Sequence, residues 1–283
     1  MVRFGFHVSI AGGVDKAVDR AKAMGCDVFQ IFSRNPRVWR SKPLSPEEAD
    51  MFRRKFKKSC LDLAADHMPY LPNLASPKED VYQKSIDILA EELVRCHTLS
   101  IPYLVTHLGS HLGAGREQGS IRIVRAVEKA FFMADNEVMV LLENTAGTRN
   151  SMGGHFEDLA VIIEALGQNG RRVGVCLDTC HLFASGYELR DPEGLRATLE
   201  NFDSAIGLER LKLVHLNDCR GILGSHLDRH EHIGLGQIGE KGFETLLGHP
   251  LIRELPMIME TPVDHRRDDL GNLRAARKIA GLE

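Results

Sequence analysis

The sequence predicts an α/β fold made of a single (β/α)8 TIM barrel. Eight short apolar, β-branched runs recur along its 283 residues, on average about 36 residues apart, and stretches of 3.6-residue periodicity separate them. Eight strand–helix alternations over this length are typical of such a barrel. A doubly wound open sheet is the alternative. It usually has fewer strands and a glycine-rich phosphate loop, whereas Gly12 and Gly13 follow the first run without a GxGxxG motif.

The predicted strands share β-branched and other apolar residues and are bounded by polar or turn-forming ones. In chain order they cover residues 3–8, 27–32, 62–66, 103–106, 137–142, 172–177, 211–216 and 256–259.

Helices are predicted between the strands from amphipathic spacing and start signals. The clearest amphipathic stretches cover residues 14–24, 82–97, 120–134 and 156–166. Ser45 precedes a proline and two glutamates, which is typical of a helix N-cap, and Asp191 precedes Pro192 in the same way.

The composition excludes two broad classes of protein. With 43% hydrophobic and 27% charged residues, the chain is neither disordered nor membrane-embedded. It has no apolar run of roughly 18 residues, as a membrane helix needs, and no signal-peptide core of about 7–15 residues at its start. We therefore expect one cytoplasmic domain over residues 1–283, a monomer without membrane contact. The six cysteines form no CxxC pair and are predicted to be free thiols, partly buried.

Polar side chains of functional types follow the predicted strands. In (β/α)8 enzymes the active site lies at the C-terminal ends of the strands, so we expect these side chains to share one rim. From the first strand to the eighth they are His7; Ser33, Arg34 and Asn35; His67; His107; Glu143 and Asn144; Asp178 and His181; His215, Asn217 and Asp218; and Glu260 and Thr261.

Histidines and carboxylates without cysteine are the ligands of hydrolytic zinc or manganese sites. Nine candidates, with one carboxylate bridging, suit three ions: His67, His107, Glu143, Asp178, His181, His215, Asp228, His230 and Glu260. Each has an ordinary alternative as a helix cap, a salt-bridge partner or an exposed loop residue, and only their combination favours a metal site. His111, His226 and His232 are alternative ligands, whereas His97, His155, His249 and His265 are predicted to be surface residues.

Residues 33–42 contain four cations and no acid, namely Arg34, Arg37, Arg40 and Lys42, beside Trp39, the only tryptophan. This loop is either simply solvated or a nucleic-acid contact. The net charge of −3 argues mildly against a nucleic-acid partner. Three divalent ions carry six positive charges, which would turn −3 into +3 and concentrate that charge at the rim. The basic run at residues 53–58 is predicted to be the solvated outer face of a helix.

Several motifs resemble those of the endonuclease IV family, the metal-dependent apurinic/apyrimidinic (AP) endonucleases of base excision repair. They run in one order from residue 5 to residue 262. The matching blocks are 5–9 (GFHVS) with 11–13 (AGG), 35–39 (NPRVW), 109–111 (GSH), 143–147 (ENTAG), 173–181 (VGVCLDTCH), 215–218 (HLND), 228–234 (DRHEHIG) and 260–262 (ETP).

The resemblance implies three Zn2+ per chain, with Mn2+ as an alternative at one site. One ion is implied at His67, His107 and Glu143; a second at Glu143, Asp178, His215 and Glu260; and a third at His181, Asp228 and His230. Two departures from some members, Leu108 and Leu235, remove no ligand and bear only on local DNA contacts.

The resemblance also implies the reaction and its substrate. The expected partner is double-stranded DNA with abasic sites, cleaved 5′ to the site to leave a 3′-hydroxyl and a 5′-deoxyribose phosphate, with 3′-end trimming as a further activity. Glu143 and Glu260 are the implied catalytic residues. Arg37 is the implied inserting residue of the DNA-binding loop, and Tyr70 resembles a second one.

Two other functions compete with this interpretation. Sugar isomerases and epimerases on similar barrels place two Glu, an Asp and a His at strand ends, as in this chain, but bind one or two ions. They need neither the other five candidate ligands nor the basic loop. A catalytically silent DNA-binding protein is the second alternative, and the intact ligand set argues against it.

Overall fold

The computed structural model describes residues 2–282, and its central feature is a closed barrel of eight parallel strands. The barrel strands in chain order are β1 Arg3–His7, β2 Val28–Ile31, β3 Leu63–His67, β4 Tyr103–His107, β5 Met139–Glu143, β6 Val173–Asp178, β7 Leu211–His215 and β10 Pro256–Met259. Two further short strands, β8 Asp218–Cys219 and β9 His230–Glu231, lie outside the barrel. Around the barrel the order is β1, β10, β7, β6, β5, β4, β3 and β2, with β2 pairing back to β1. The prediction of a (β/α)8 barrel is confirmed, and β10 is its eighth strand.

Helices cover the outside of the barrel. They are α1 Lys16–Ala23, α2 Pro46–Lys58, α3 Glu79–Leu99, α4 Arg116–Ala134, α5 Phe156–Ala165, α6 Thr179–Ser185, α7 Pro192–Ala205, α8 Gly239–Gly248, α9 Pro250–Glu254 and α10 Asp269–Ile279. Both predicted N-caps are confirmed: Ser45 forms a capping box with Glu48, and Asp191 accepts a hydrogen bond from the backbone of Gly194.

The sequence did not predict the small antiparallel pair β8–β9. It pairs Asp218 with Glu231 and Cys219 with His230, so the loop after β7 is closed at its base. This pairing holds the segment that contains Asp228 over the barrel mouth. The isolated two-residue strands are too short to be recognised from periodicity.

Inside the barrel, strand residues form a fully buried layer of Val28, Ala65, Val105, Leu141, Cys176, Leu213 and Ile258. Gly5 on β1 belongs to the same tightly packed region. A Cβ atom there would lie 1.6 Å from the carbonyl oxygen of Val28, so only glycine permits this approach of β1 to β2.

All six cysteines are free thiols; Cys60 is exposed and the other five are buried.

Among the helices of residues 2–282, none is both long enough and apolar enough to cross a membrane.

Candidate metal centre

Strand alternation places the predicted ligands directly above the buried layer of the barrel. Side chains two residues apart on a strand point to the same side. Each of six ligands lies two positions beyond an interior residue, as His67 does beyond Ala65. The six are His67, His107, Glu143, Asp178, His215 and Glu260; the first five end their strands and Glu260 directly follows β10. The predicted rim is therefore formed by strand ends.

One group of ligand atoms converges on an oxygen of Glu143. His67 Nε2 lies 3.1 Å and His107 Nδ1 3.4 Å from Glu143 Oε2. His67 Nδ1 is 2.7 Å from the carbonyl oxygen of Met68, which is a hydrogen-bond acceptor. The Nδ1–H of His67 is thus committed to the backbone, and its Nε2 lone pair faces the carboxylate.

The other oxygen of Glu143 faces a second group. His215 Nδ1 is 3.1 Å from Glu143 Oε1 and 3.6 Å from Glu260 Oε2. Asp178 belongs to the same group, since ligand atoms of Glu143, Asp178 and His215 all lie within 4.8 Å of one another. Glu143 therefore stands between two sets of donors, as a bridging ligand would.

The third group combines the end of β6 with the β8–β9 loop. His181 Nε2 lies 3.3 Å and His230 Nε2 3.8 Å from Asp228 Oδ1. The Nδ1 atoms of the two histidines lie 3.0 Å from the carbonyl oxygens of Asn144 and Glu260, so both Nε2 lone pairs face the carboxylate.

A buried thiol borders this third group. Cys180 Sγ lies within 4.8 Å of ligand atoms of Asp228 and His230. A carboxylate oxygen of Asp178 likewise lies within 4.8 Å of ring nitrogens of His181 and His230. Cys180 was not among the predicted ligands. Its position directly before His181 in the DTCH motif was the available signal.

The electrostatics of the cluster suit bound cations. Burial alone would raise the pKa of the Glu143 carboxyl, but His107 and His215 lower it well below its ordinary value. Burial alone would also raise the pKa of the Glu260 carboxyl, but His215 lowers it below its ordinary value. Burial would lower the pKa of His181, but Asp178 and Asp228 raise it well above its ordinary value. Ionised carboxylates this deep require facing positive charge, and the convergent imidazole and carboxylate atoms fit divalent zinc or manganese.

The cluster opens into a cavity of about 340 Å³ at the barrel mouth. Its walls include His7, Phe32 and Tyr70 in addition to six of the nine predicted ligands. His7 had been noted at the end of the first strand without a role; its Nδ1 is 3.1 Å from Glu260 Oε1. A substrate group entering this cavity would therefore meet both ligands and aromatic side chains.

Sequence reasoning missed Gln30, a fully buried residue of β2 that touches Glu260, His215 and His7. Only residues beyond the end of the second strand had been considered, and these offered no metal ligand. A polar residue inside the apolar run VFQIF was the available signal.

The two predicted DNA-contact residues lie on neighbouring loops and are exposed. The Tyr70 backbone donates a hydrogen bond to the carbonyl oxygen of Pro36, beside Arg37. Tyr70 is 64% exposed, and its ring packs edge-on against Phe32, with ring centroids 4.9 Å apart. Tyr70 thus lines the cavity, and Arg37 lies exposed on the adjoining loop.

Arg34 is not the exposed loop cation that the sequence predicted. It was counted among the cations of the basic loop, but it is buried and paired with Glu91 and Glu92 on α3. Three of the four cations, Arg37, Arg40 and Lys42, remain exposed.

The three alternative histidines have other partners. His111 Nδ1 accepts hydrogen bonds from the backbone of Gly113 and Gly115. His226 Nδ1 lies 2.9 Å from the carbonyl oxygen of Ala146, and His232 Nε2 lies 3.1 Å from Asp264 Oδ1. Of the four histidines predicted at the surface, His97, His155 and His265 are exposed and His249 is half-buried.

Comparison with known proteins agrees with this geometry. Residues 18–280 match the family described as xylose isomerase-like TIM barrel. The probable endonuclease 4 of Methanoculleus marisnigri is 56% identical over 282 residues, which cover 99% of this chain and all of that protein. The solved structure of endonuclease IV from Thermus thermophilus has a TM-score of 0.88 at 38% identity and 99% coverage of both chains. A D-tagatose 3-epimerase-like protein, with a TM-score of 0.70 at 17% identity and coverage of 99% and 98%, shows the shared fold alone. The chain belongs to the endonuclease IV family of the xylose isomerase-like TIM barrels.

Proposed function

We propose that the chain is a metal-dependent AP endonuclease of DNA repair. It hydrolyses the phosphodiester 5′ to an abasic site in double-stranded DNA and leaves a 3′-hydroxyl and a 5′-deoxyribose phosphate. The observation that carries this proposal is the placement of Glu143, whose two oxygens face separate groups of histidines 3.1–3.4 Å away. The names of the relatives, endonuclease 4 and endonuclease IV, support the reaction class.

Three Zn2+ per chain fit the donor atoms, with Mn2+ as an alternative at one of the three sites. The first would be held by His67, His107 and Glu143, the second by Glu143, Asp178, His215 and Glu260, and the third by His181, Asp228 and His230. When bound, such ions neutralise phosphate charge and lower the pKa of water towards 7, which phosphodiester hydrolysis needs at neutral pH.

Two glutamates of the chain position the groups that take part in this hydrolysis. Glu260 Oε1 faces His7 and Gln30, so Oε2 is the oxygen that would face the second ion and, beside it, orient the attacking water and accept its proton. Glu143 keeps two groups of imidazoles at fixed separation.

The exposed loops bind the DNA. Arg37 and Tyr70 fill the gap that a flipped-out abasic nucleotide leaves, and thereby offset the cost of unstacking, which is a few kcal/mol.

The sugar isomerase alternative explains less of the site. It needs only Glu143, Asp178, His215 and Glu260, and gives no role to the group formed by His181, Asp228 and His230. The epimerase-like relative shares the fold at 17% identity and therefore carries no argument for that reaction. A silent DNA-binding protein needs none of the nine side chains.

Four further expectations belong to the same proposal. The site that cleaves beside an abasic nucleotide would also trim blocked 3′ ends, because the bond attacked is again a phosphate ester next to a 3′ oxygen. The chain would act as one domain over residues 1–283, as a monomer, and in the cytoplasm.

The test is incubation of zinc-loaded protein with end-labelled duplex DNA that carries one synthetic abasic site. We expect a single cut 5′ to the site, whose 3′-hydroxyl a DNA polymerase extends. Chelation of the metal should abolish the cut, and added zinc should restore it. An undamaged duplex is the matched control. Absence of cleavage by the fully loaded protein, or cleavage indifferent to chelation, would contradict the proposal.

A further inference from the structure

Gln30 is the one polar residue of β2 and points into the barrel above Val28. It is fully buried, and register pairing places it opposite His7 of β1. A buried amide has two donors and an acceptor to satisfy, and leaving them unpaired is costly because the desolvation penalty is then not repaid. Its presence in an apolar strand therefore calls for partners within the barrel.

Those partners are two of the predicted metal ligands and His7, whose Nδ1 lies 3.0 Å from the amide nitrogen of Gln30. The amide nitrogen of Gln30 donates to Glu260 Oε1 at 2.9 Å, and its oxygen lies 2.9 Å from His215 Nε2. An ionised carboxylate only accepts hydrogen bonds, so the nitrogen must face Glu260. The oxygen then faces His215 and can only accept.

This arrangement fixes the state of both ligands. His215 Nε2 must carry the proton that Gln30 accepts, which leaves the Nδ1 lone pair directed at Glu143 Oε1, 3.1 Å away. Glu260 is turned in the same way. Its Oε1 is engaged by Gln30, and its Oε2 points towards His215 Nδ1 at 3.6 Å. One amide thus directs the donor atoms of two side chains from β7 and β10 to one point.

We propose that Gln30 is a positioning residue of the second metal site, which selects the metal-binding tautomer of His215 and orients Glu260. This inference rests on the metal centre of the proposed function and adds a residue outside its ligand set. Partners that orient metal ligands typically contribute 10–100-fold in metal affinity or activity. We expect Gln30 to contribute within that range.

The principal variant is Gln30→Leu, which removes all hydrogen bonds of the amide at similar volume. Zinc-loaded protein is titrated with a chelator, and retained zinc is counted by elemental analysis. We expect about one ion per chain to be lost at a roughly 10–100-fold lower chelator concentration than in the wild type. On abasic DNA, kcat should fall and KM should change little, because Arg37 and Tyr70 are untouched.

A second variant separates the two arms of the amide. Gln30→Glu keeps an oxygen that accepts the hydrogen bond of His215, but it places a second negative charge next to the Glu260 carboxylate, which repels it. It should therefore retain zinc better than Gln30→Leu, while its kcat stays low because Glu260 is displaced. If the two variants lose zinc equally, the role of the His215 contact is refuted.

The matched control is Asn136→Leu, the same kind of change at the opposite end of the barrel. Asn136 is buried before β5, where its amide bonds to the backbone of Leu93 and Val138. This control should lower the melting temperature without changing zinc retention or kcat. If Gln30→Leu behaves like the control, Gln30 is merely structural and the inference fails. If the wild type itself neither retains zinc nor cleaves, the proposed function fails instead.

Discussion

Glu143 occupies the position in the site where loss of a single charge should matter most. It is 1% exposed, and its two oxygens lie within 3.4 Å of nitrogen atoms of His67, His107, His181 and His215. A carboxylate so enclosed couples two groups of donors, so its contribution is shared by both. Most of the other candidate ligands serve one group only.

We predict that Glu143→Gln abolishes cleavage of abasic DNA and preserves the fold. The amide keeps the size of the side chain but removes the charge that both groups share, and it puts an N–H where an acceptor is needed. Turnover is measured with the labelled duplex, zinc by elemental analysis and folding by circular dichroism. Near-normal turnover with full zinc content would be incompatible with a bridging role.

A paired substitution tests the third group. His230→Ala should lower zinc by about one ion per chain and sharply reduce cleavage, because only His181 and Asp228 would remain as ligands. His226→Ala is the matched control from the same loop; its imidazole instead lies against the Ala146 carbonyl. If zinc is unchanged in His230→Ala but falls in His226→Ala, the two histidines have been assigned the wrong way round.

At the residue scale, the predicted ligand set and the overlooked Gln30 differ for a physical reason. Histidines and carboxylates immediately after apolar runs are conspicuous, since such residues are seldom buried without a partner. Gln30 lies inside a run, and its role depends on the register of β1, β2, β7 and β10, which sequence does not state. The burial of Arg34 likewise depends on where α3 packs.

At the element scale, the basic loop after β2 is tied to α3 by a buried ion pair. Arg34 Nε lies 2.5 Å from Glu92 Oε1, and Ser33 donates its hydroxyl to the other oxygen of Glu92. Arg95 Nε, also on α3, donates to the Ser33 hydroxyl at 2.7 Å. These contacts fix the start of the segment that carries Arg37.

We predict that Arg34→Met lowers the free energy of unfolding by about 3–5 kcal/mol, since it leaves Glu92 buried without its cation. Arg40→Met is the control, an exposed arginine of the same loop, and should stay within about 0.5 kcal/mol of the wild type. Both are measured by urea unfolding of the zinc-loaded protein. Equal stability of the two variants would mean that the ion pair does not anchor the loop.

At the scale of the whole molecule, the barrel could be predicted because its signals are repeated. Eight apolar runs at regular spacing outweigh errors of one or two residues in any strand, and the predicted bounds of all eight overlap the observed ones. The β8–β9 pair could not be predicted in this way, because two-residue strands carry no periodicity. Yet this pair positions Asp228 and His230, so part of the site depends on structure that local pattern does not encode.

The charge of the molecule is also organised at this scale. The formal net charge is −3, yet the rim carries the exposed cations of the β2 loop. Three bound divalent ions would add positive charge at the same mouth. DNA should therefore be drawn to one face of the barrel, while the basic outer face of α2 pairs locally, as Lys55 does with Asp15 and Asp19.

The last prediction separates DNA binding from metal binding. Arg37→Ala should weaken discrimination between abasic and intact duplexes by about 1–3 kcal/mol, the range of a stacking contact, which is roughly ten- to a hundredfold in affinity. Zinc content should not change, because Arg37 contacts none of the nine predicted ligands in the described part of the chain. If Arg37 also contacts a phosphate, the salt dependence of binding should fall by about one phosphate equivalent. Arg54→Ala, an exposed arginine on α2, is the control and should leave both affinities unaltered. Gel-shift titrations of the three proteins decide the matter: wild-type affinity of Arg37→Ala for both duplexes would mean that the loop is only solvated.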